Sequence, residues 1–425
     1  MVYYQIDGRV PLRGEYRVKG AKNAALPIMA AAVCRSGLHC IYDCPKIGDV
    51  FKMQEILEEL GCKTYWDDGC LAIDSTSISS STVPKELMAE MRSSVFLMGS
   101  LLARCETATI FKPGGCKIGK RPIDIHLEGL RELGFEVTEE EEKVVCKGRC
   151  KGGKITLPYP SVGATENLIM AALSGCDDTI IENCAIEPEI LDLQGFLRTC
   201  GFQVHGAGTD TIFVKGKEHW LSEGGLSRRD TIYFIMEDRI EAATYISAVV
   251  GTGGKATFRN IRADLLRAFL KSIERMGAIV KNYEDNLEVV SPRTLKSPGF
   301  IVTEPFPGFP TDCQPQILTL STQCKGLTTI REEIFESRFT HKNELIRMGA
   351  NIEICGKNAI IKGNTALKGC RVSANDLRGG AALVLAGLMA EDCTIVSGVE
   401  HIERGYEDLH KGIKQLGGLI ERETT

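Results

Sequence analysis

Hydrophobic and polar positions along the chain repeat one arrangement six times. An amphipathic segment ends in an apolar residue, then comes Gly, then a short apolar or alternating run. The six are Glu58-Glu59-Leu60-Gly61-Cys62, Arg131-Glu132-Leu133-Gly134-Phe135, Arg198-Thr199-Cys200-Gly201-Phe202, Glu274-Arg275-Met276-Gly277-Ala278, Ile346-Arg347-Met348-Gly349-Ala350 and Lys414-Gln415-Leu416-Gly417-Gly418. Their glycines are 73, 67, 76, 72 and 68 residues apart. Gly at that place suits a left-handed residue closing a helix, where a Cβ costs energy. Each unit therefore reads as helix, glycine stop and strand, with strands at Glu136-Val137-Thr138, Gln203-Val204-His205 and Ile279-Val280. Apolar stretches at Asn23–Cys34, Ala164–Leu173, Ile240–Val250 and Leu377–Ala390 predict further helices. A period near 70 residues exceeds that of common solenoids. The class is α/β. Pro305-Phe306-Pro307-Gly308-Phe309-Pro310 is the densest loop punctuation, and its prolines predict a stiff, extended segment.

Composition narrows the setting. A chain of 425 residues, 43% hydrophobic and 25% charged, suggests two large globular domains or more. Its net charge of −5 offers no global cationic field for nucleic acid, so any anion site is local. Ala24–Val33 is too short for a membrane span and contains Pro27. The opening Met1–Asp7 lacks the basic and apolar regions of a signal peptide, which favours a cytoplasmic protein without membrane attachment. Seventeen cysteines form no Cys-x-x-Cys pair and close no zinc-type ligand set, so most read as reduced, small apolar residues.

Cys116 differs through its neighbours. In Lys112-Pro113-Gly114-Gly115-Cys116-Lys117-Ile118-Gly119-Lys120-Arg121-Pro122 a thiol is crowded by four cations in a glycine-rich loop, a setting that favours thiolate. Four other groups stand out. Lys19-Gly20-Ala21-Lys22-Asn23 places Lys22 at a helix start, where an anion is favoured, against the plain alternatives of a solvated lysine and an asparagine cap. Pro160-Ser161-Val162-Gly163-Ala164 opens a second helix with amides able to meet a phosphate; Ser161 as a simple cap fits equally well. Asp312, after the proline segment, suits a fixed base or a helix cap. Arg338, Arg378 and Arg404 each lie beside a carboxylate, as ordinary surface ion pairs also do. No Walker lysine, Gly-x-Gly-x-x-Gly or Gly-x-Ser-x-Gly motif occurs, which removes support for nucleotide hydrolysis, dinucleotide redox and serine hydrolysis.

Taken in this order, from Gly20-Ala21-Lys22-Asn23 to Arg404-Gly405-Tyr406-Glu407, these groups resemble the UDP-N-acetylglucosamine 1-carboxyvinyltransferase family over nearly the whole chain. The most specific piece is Pro113-Gly114-Gly115-Cys116 with Ile118-Gly119 and Arg121-Pro122-Ile123-Asp124. The resemblance implies a two-domain inside-out α/β barrel. Six βαβαββ units, three per domain, surround buried helices, and the active site lies in the interdomain cleft. One domain would be residues 22–236, carrying the Cys116 loop; the other would be 1–21 with 237–425, carrying both termini, Asp312 and Arg404.

The implied activity is transfer of the enolpyruvyl group of phosphoenolpyruvate to the 3-hydroxyl of UDP-N-acetylglucosamine, the first committed step of peptidoglycan synthesis. No metal or organic cofactor is implied, and the partners are these two small molecules. Cys116 resembles the thiol that protonates C3 and can form a covalent adduct. Lys22, Asn23, Arg121 and Arg404 resemble the residues that hold phosphoenolpyruvate, with Lys22, Arg121 and Arg404 its cations. Asp312 resembles the base near the sugar hydroxyl. Asn23, Arg92, Arg121, Pro122, Ile123, Asp124, Ile125, Ser161, Val162, Gly163, Asp312 and Ile334 resemble the UDP-sugar contacts, and Arg338 and Arg378 fall on positions near the site. Ser337, Tyr159-Pro160 and Gly379-Gly380 depart from the family pattern, the last pair loosening the segment after Arg378. Two other readings compete. One is a sister transferase using shikimate 3-phosphate, which lacks the cysteine loop. The other is a non-catalytic UDP-sugar binder, which would have no need of an acid, a base and three cations. The oligomeric state is not implied.

Overall fold

The structure, a computed structural model, describes residues 2–112, 123–217 and 229–424, without the side chains of residues 89, 90 and 92. The described residues form two units, one of residues 20–236 and one of residues 2–19 with 237–424. Both consist of strands around buried helices.

The six glycines are the places where this architecture is set. Each follows an outer helix: Gly48–Glu59, Asp124–Glu132, Pro188–Thr199, Arg267–Arg275, Lys342–Arg347 and Leu409–Gln415. All six adopt positive φ, from 84° at Gly417 to 101° at Gly61. At each, the glycine N–H donates to the carbonyl three residues back, and the next N–H donates to the carbonyl five back. Gly61 N–H reaches Glu58 O and Cys62 N–H reaches Leu57 O, both at 2.9 Å; the same pair recurs from Gly134–Phe135 to Gly417–Gly418. This is a Schellman closure, and it requires the left-handed residue. The carbonyl partner of the second bond is a buried Leu or Ile every time: Leu57, Leu130, Leu197, Ile273, Leu345 and Ile413.

After each closure the chain enters a sheet of one recurring pattern: a parallel pair, then two antiparallel neighbours. In residues 20–236 two sheets run Thr231–Phe234, Leu38–Tyr42, Cys70–Asp74, Lys63–Asp67 and Gly153–Thr156, Thr179–Glu182, Thr211–Val214, Val204–His205. The third, Thr107–Phe111, Lys143–Lys147, Glu136–Glu139, keeps only a parallel bridge from Thr82 to Thr109 in place of its outer strand. The second unit has Arg13–Arg17, Lys255–Arg259, Asn286–Val290, Ile279–Tyr283 and Phe300–Val302, Leu327–Arg331, Asn358–Lys362, Asn351–Cys355. It also has Arg371–Ser373, Cys393–Ser397, Val2–Asp7, Leu419–Thr424, where the first strand of the chain completes the last sheet.

Three inner helices fill each unit. They are Lys22–Ala31, Leu97–Cys105 and Val162–Ala172 in one, and Arg239–Gly251, Gln314–Ser321 and Leu377–Met389 in the other. Nearly every residue of these six is buried, as their apolar composition on all faces demands. Gly379 and Gly380 do not loosen the last of them. A Cβ on Gly380 would stand 2.7 Å from Ile402 and 2.8 Å from Ala374, and Asp376 caps the helix through Gly379 N–H at 2.9 Å, so both glycines permit close packing. The Pro305–Pro310 segment is a turn, not an extended strut. Gly308 N–H closes on Pro305 O at 2.8 Å, Glu304 N–H on Phe309 O at 3.0 Å, and the Phe306–Pro307 bond is cis. Proline rings fix φ but leave the other backbone angles to these hydrogen bonds.

The closure is testable where it is isolated. A Cβ on Gly417 would meet nothing within 4 Å, so only its φ of 84° resists substitution. Gly417→Ala should lower stability by about 1 kcal/mol, and Gly417→Asn by less, because Asn tolerates the left-handed region. Urea unfolding midpoints check this; an Asn variant less stable than the Ala variant would contradict it.

Candidate functional site

Asp312 lies in the 3-10 turn Thr311–Cys313 ahead of the Gln314–Ser321 helix and caps neither element. Its carboxylate instead accepts from two arginines, Arg338 Nη2 at 2.6 Å and Arg378 Nη2 at 3.3 Å. Both arginine side chains are 3% exposed and Asp312 is 27% exposed, so Asp312 is the accessible end of a buried cationic pair. These arginines are not the surface ion pairs that their sequence neighbours suggested. Asp376, beside Arg378, caps a helix and accepts from Thr340, and Glu403, beside Arg404, pairs with Arg422. Arg338 Nε also donates to Thr311 O at 3.3 Å, and the Arg378 guanidinium sits 5.2 Å from the Tyr406 ring centre. Burial opposes the charge on Arg378, but Tyr406, Asp312 and Asp238 outweigh it and hold the group protonated. Tyr406 hydroxyl is in turn 2.8 Å from Thr244 Oγ1, which accepts from Gln316 Nε2 at 2.9 Å. Cys313, directly after Asp312, is buried and its thiol is pushed up to about 12, so it offers no thiolate beside the carboxylate.

Ile334 joins this group through a residue that sequence reasoning missed. Glu332 Oε1 accepts from Ile334 N–H at 2.9 Å and from Thr311 Oγ1 at 3.1 Å. Nothing in Arg331-Glu332-Glu333 distinguishes it before folding, because its partners are 2 and 21 residues away. Arg404 is exposed at the end of the Val399–Glu403 helix, two residues before Tyr406.

In the other unit, Lys22 begins its inner helix and its Nζ pairs with Asp49 at 2.7 Å. The side chains are 13% and 5% exposed, so this is neither a solvated lysine nor a surface pair. Asn23 is exposed, and Ala21 occupies the cap position without a side-chain bond. Ser161 does cap its helix, accepting from Ala164 N–H at 3.4 Å, which takes up one amide otherwise open to a phosphate. Gly163 packs closely at this point: a Cβ there would stand 3.3 Å from Phe96 and 3.4 Å from His126. The Ser161–Gly163 turn thus meets the Arg92–Phe96 turn and the Ile123-Asp124-Ile125-His126 segment. Asn167 bonds nearby, donating toward His126 Nδ1 at 3.1 Å and accepting at 2.6 Å from the N–H of Gly99 in the helix that follows Phe96. Gly163, in one of the expected stretches, thus lies close to Phe96 and His126, which border the other two. The Arg92 side chain, Cys116, Arg121 and Pro122 lie outside the described residues. Among the described residues no group of His, Cys, Asp and Glu forms a metal site, and no helix is long and apolar enough to cross a membrane.

Residues 6–413 match the family model for EPSP synthase (3-phosphoshikimate 1-carboxyvinyltransferase). A UDP-N-acetylglucosamine 1-carboxyvinyltransferase 2 of Caldanaerobacter subterraneus is 44% identical over 420 residues, 99% of each chain. The UDP-N-acetylglucosamine 1-carboxyvinyltransferase of Finegoldia magna is 42% identical over 427 residues, again 99% of each. The chain belongs to the UDP-N-acetylglucosamine 1-carboxyvinyltransferase family. It is a transferase, and the fold agrees. The enolpyruvyl transferase NikO of Streptomyces tendae superposes with a TM-score of 0.87 at 23% identity, covering 100% of this chain and 99% of that one. EPSP synthase of Acinetobacter baumannii gives 0.75 at 17% identity, with 100% of both chains covered. The family's two-domain α/β class is thus the one seen here, helices inside and sheets outside.

One titration follows from the geometry of the Asp312 unit. Glu241 is buried on the inner helix Arg239–Gly251, accepting from Tyr16 hydroxyl at 3.0 Å and Lys19 N–H at 2.8 Å. Burial, with Asp238 adding to it, pushes its carboxyl up to about 7 from the ordinary 4.5. The folded state therefore holds this proton more tightly than the unfolded chain. That contribution is complete below pH 4.5 and is lost as pH rises through 7. Glu241→Gln, which keeps both hydrogen bonds by donating to Tyr16, should gain on wild type by about 2–3 kcal/mol between pH 5 and 8. Urea midpoints across that range measure the gap; a gap independent of pH would rule the buried acid out.

Proposed function

We propose that the protein transfers the enolpyruvyl group of phosphoenolpyruvate to the 3-hydroxyl of UDP-N-acetylglucosamine with release of phosphate. The observation that carries this is likeness along the whole chain, at 40–44% identity, to transferases of that name. The position of Asp312 supports it. A base must be anchored yet reachable, and Asp312 is held by two buried guanidiniums while partly exposed itself. Asp312 takes the hydroxyl proton as the sugar oxygen bonds to C2 of phosphoenolpyruvate, and Cys116 supplies a proton to C3. Loss of phosphate from C2 and of a proton from the new methyl group then gives the enolpyruvyl ether. Lys22, Arg121 and Arg404, with Asn23, hold the phosphate and carboxylate of phosphoenolpyruvate, an anionic load of up to about three charges near neutral pH that calls for several cations. Arg92, the Arg121–Ile125 run, the Ser161–Gly163 turn and Ile334 contact the UDP-sugar. The reaction belongs to peptidoglycan synthesis, which ties the protein to cell shape and division, and its substrates place it in the cytoplasm.

Phosphate release is the direct test. It should require both phosphoenolpyruvate and UDP-N-acetylglucosamine and should not occur with shikimate 3-phosphate; the opposite acceptor preference would hand the reaction to the sister enzyme. UDP-N-acetylglucosamine binding without release would make the protein a binder only.

Cys116→Ala should lower turnover roughly 10²–10⁴-fold, the usual worth of a positioned acid, and abolish alkylation by the epoxide fosfomycin. Cys116→Asp should retain turnover and resist the epoxide. Mass-spectrometric labelling of another cysteine in the wild type would sink this assignment.

A further inference from the structure

The two loops that carry Asp312 and Ile334 meet on one buried carboxylate. Glu332 is 2% exposed. Its Oε1 accepts from Thr303 Oγ1 at 2.9 Å, Thr311 Oγ1 at 3.1 Å, Ile334 N–H at 2.9 Å and Phe335 N–H at 3.1 Å. Its Oε2 also accepts from Thr311, at 3.1 Å. Thr303 passes the tie on, accepting from Glu333 N–H at 2.9 Å. Among the described residues no lysine or arginine bridges to Glu332, so this buried carboxyl group is satisfied by hydrogen-bond donors alone. Hydrogen bonds made out of water are directional, and a donor that loses its partner there is costly. Three of the four donors sit at or beside residues that the proposed reaction needs. Thr311 precedes Asp312, and Ile334 is itself an expected sugar contact. The same loop continues to Arg338, which returns to Thr311 O and Asp312.

We infer that Glu332 is a positioning residue: it fixes the Asp312 turn and the Ile334 loop relative to each other, so that base and sugar contact are set by one group. This rests on the function proposed above. A carboxylate is not strictly required by the geometry. A glutamine with its oxygen in the Oε1 place keeps the four bonds there and donates its amide to Thr311 Oγ1, whereas alanine leaves all four donors unpaired.

Steady-state phosphate release on the full-length protein tests this. Glu332→Ala should lower kcat by up to about 10²-fold and raise KM for UDP-N-acetylglucosamine by about tenfold, because small misplacements of a base and a binding contact cost that much. KM for phosphoenolpyruvate should not move, since Arg404, the expected phosphoenolpyruvate cation of the same unit, is not among the residues bonded to Glu332. Glu332→Gln should stay within about threefold of wild type in every constant. Thr311→Val, which cuts only the Asp312 arm, should lower kcat and leave KM for the sugar unchanged, and it carries the test if Glu332→Ala does not fold. Wild-type constants in Glu332→Ala, equal damage in the Gln variant, or a parallel change in both KM values would overturn the inference. A wild-type protein that releases no phosphate with UDP-N-acetylglucosamine would instead overturn the functional reading on which it rests.

Discussion

Two guanidiniums buried in one unit need an anion, and Asp312 is the anion that meets both. Much of the local arrangement can be read from that constraint. Removing one partner of such a buried set leaves an uncompensated charge, which is far costlier than losing a surface pair. Arg338 must therefore lie against the Thr311–Cys313 turn, and Arg378 against Tyr406, whose hydroxyl joins the Thr244–Gln316 network of the inner helices. The carboxylate is thereby aimed by groups that cannot easily move, and its remaining exposure is what makes it available for chemistry. Stability and function make the same demand here: without Asp312 the two buried positive charges lose the carboxylate that both of them meet.

The frame around this arrangement is repetition. Among the described residues six outer helices close on left-handed glycines, five sheets share one strand pattern that the sixth reduces to three strands and a bridge, and six inner helices are largely buried. Repetition leaves little room for a site within any one copy, so the distinctive chemistry sits where copies differ, in the turns leading into inner helices. Lys22, Ser161 and Asp312 all occupy such turns. Each solves the entry differently: Lys22 pairs with Asp49, Ser161 caps its own helix, and Asp312 takes two arginines.

Legibility in the sequence followed the same division. The glycine closures could be read because a left-handed residue restricts composition, and inner helices because burial on every side makes them apolar throughout. The proline segment was misjudged: proline constrains φ, while a pair of hydrogen bonds decided that the chain turns. Asp312 could be singled out as a candidate, but its partners lie 26 and 66 residues away and each stands beside a different acid, so local reading paired them wrongly. Glu332 was invisible for a related reason. Its role consists of donors gathered by folding, and an acid following a strand carries no mark of that. The cysteine loop shows its charge in the sequence itself, because four cations lie within five residues of one thiol.

The claim that Asp312 acts as the base, while its arginines hold it in place, is open to one direct measurement. Asp312→Asn keeps the shape and an acceptor for a guanidinium but removes the basic carboxylate. Binding of UDP-N-acetylglucosamine by titration calorimetry and phosphate release should be measured on the same preparation. The account predicts affinity within a few-fold of wild type and release lowered by roughly 10²-fold or more, the usual loss of a general base. Release at the wild-type rate with the sugar bound would contradict it.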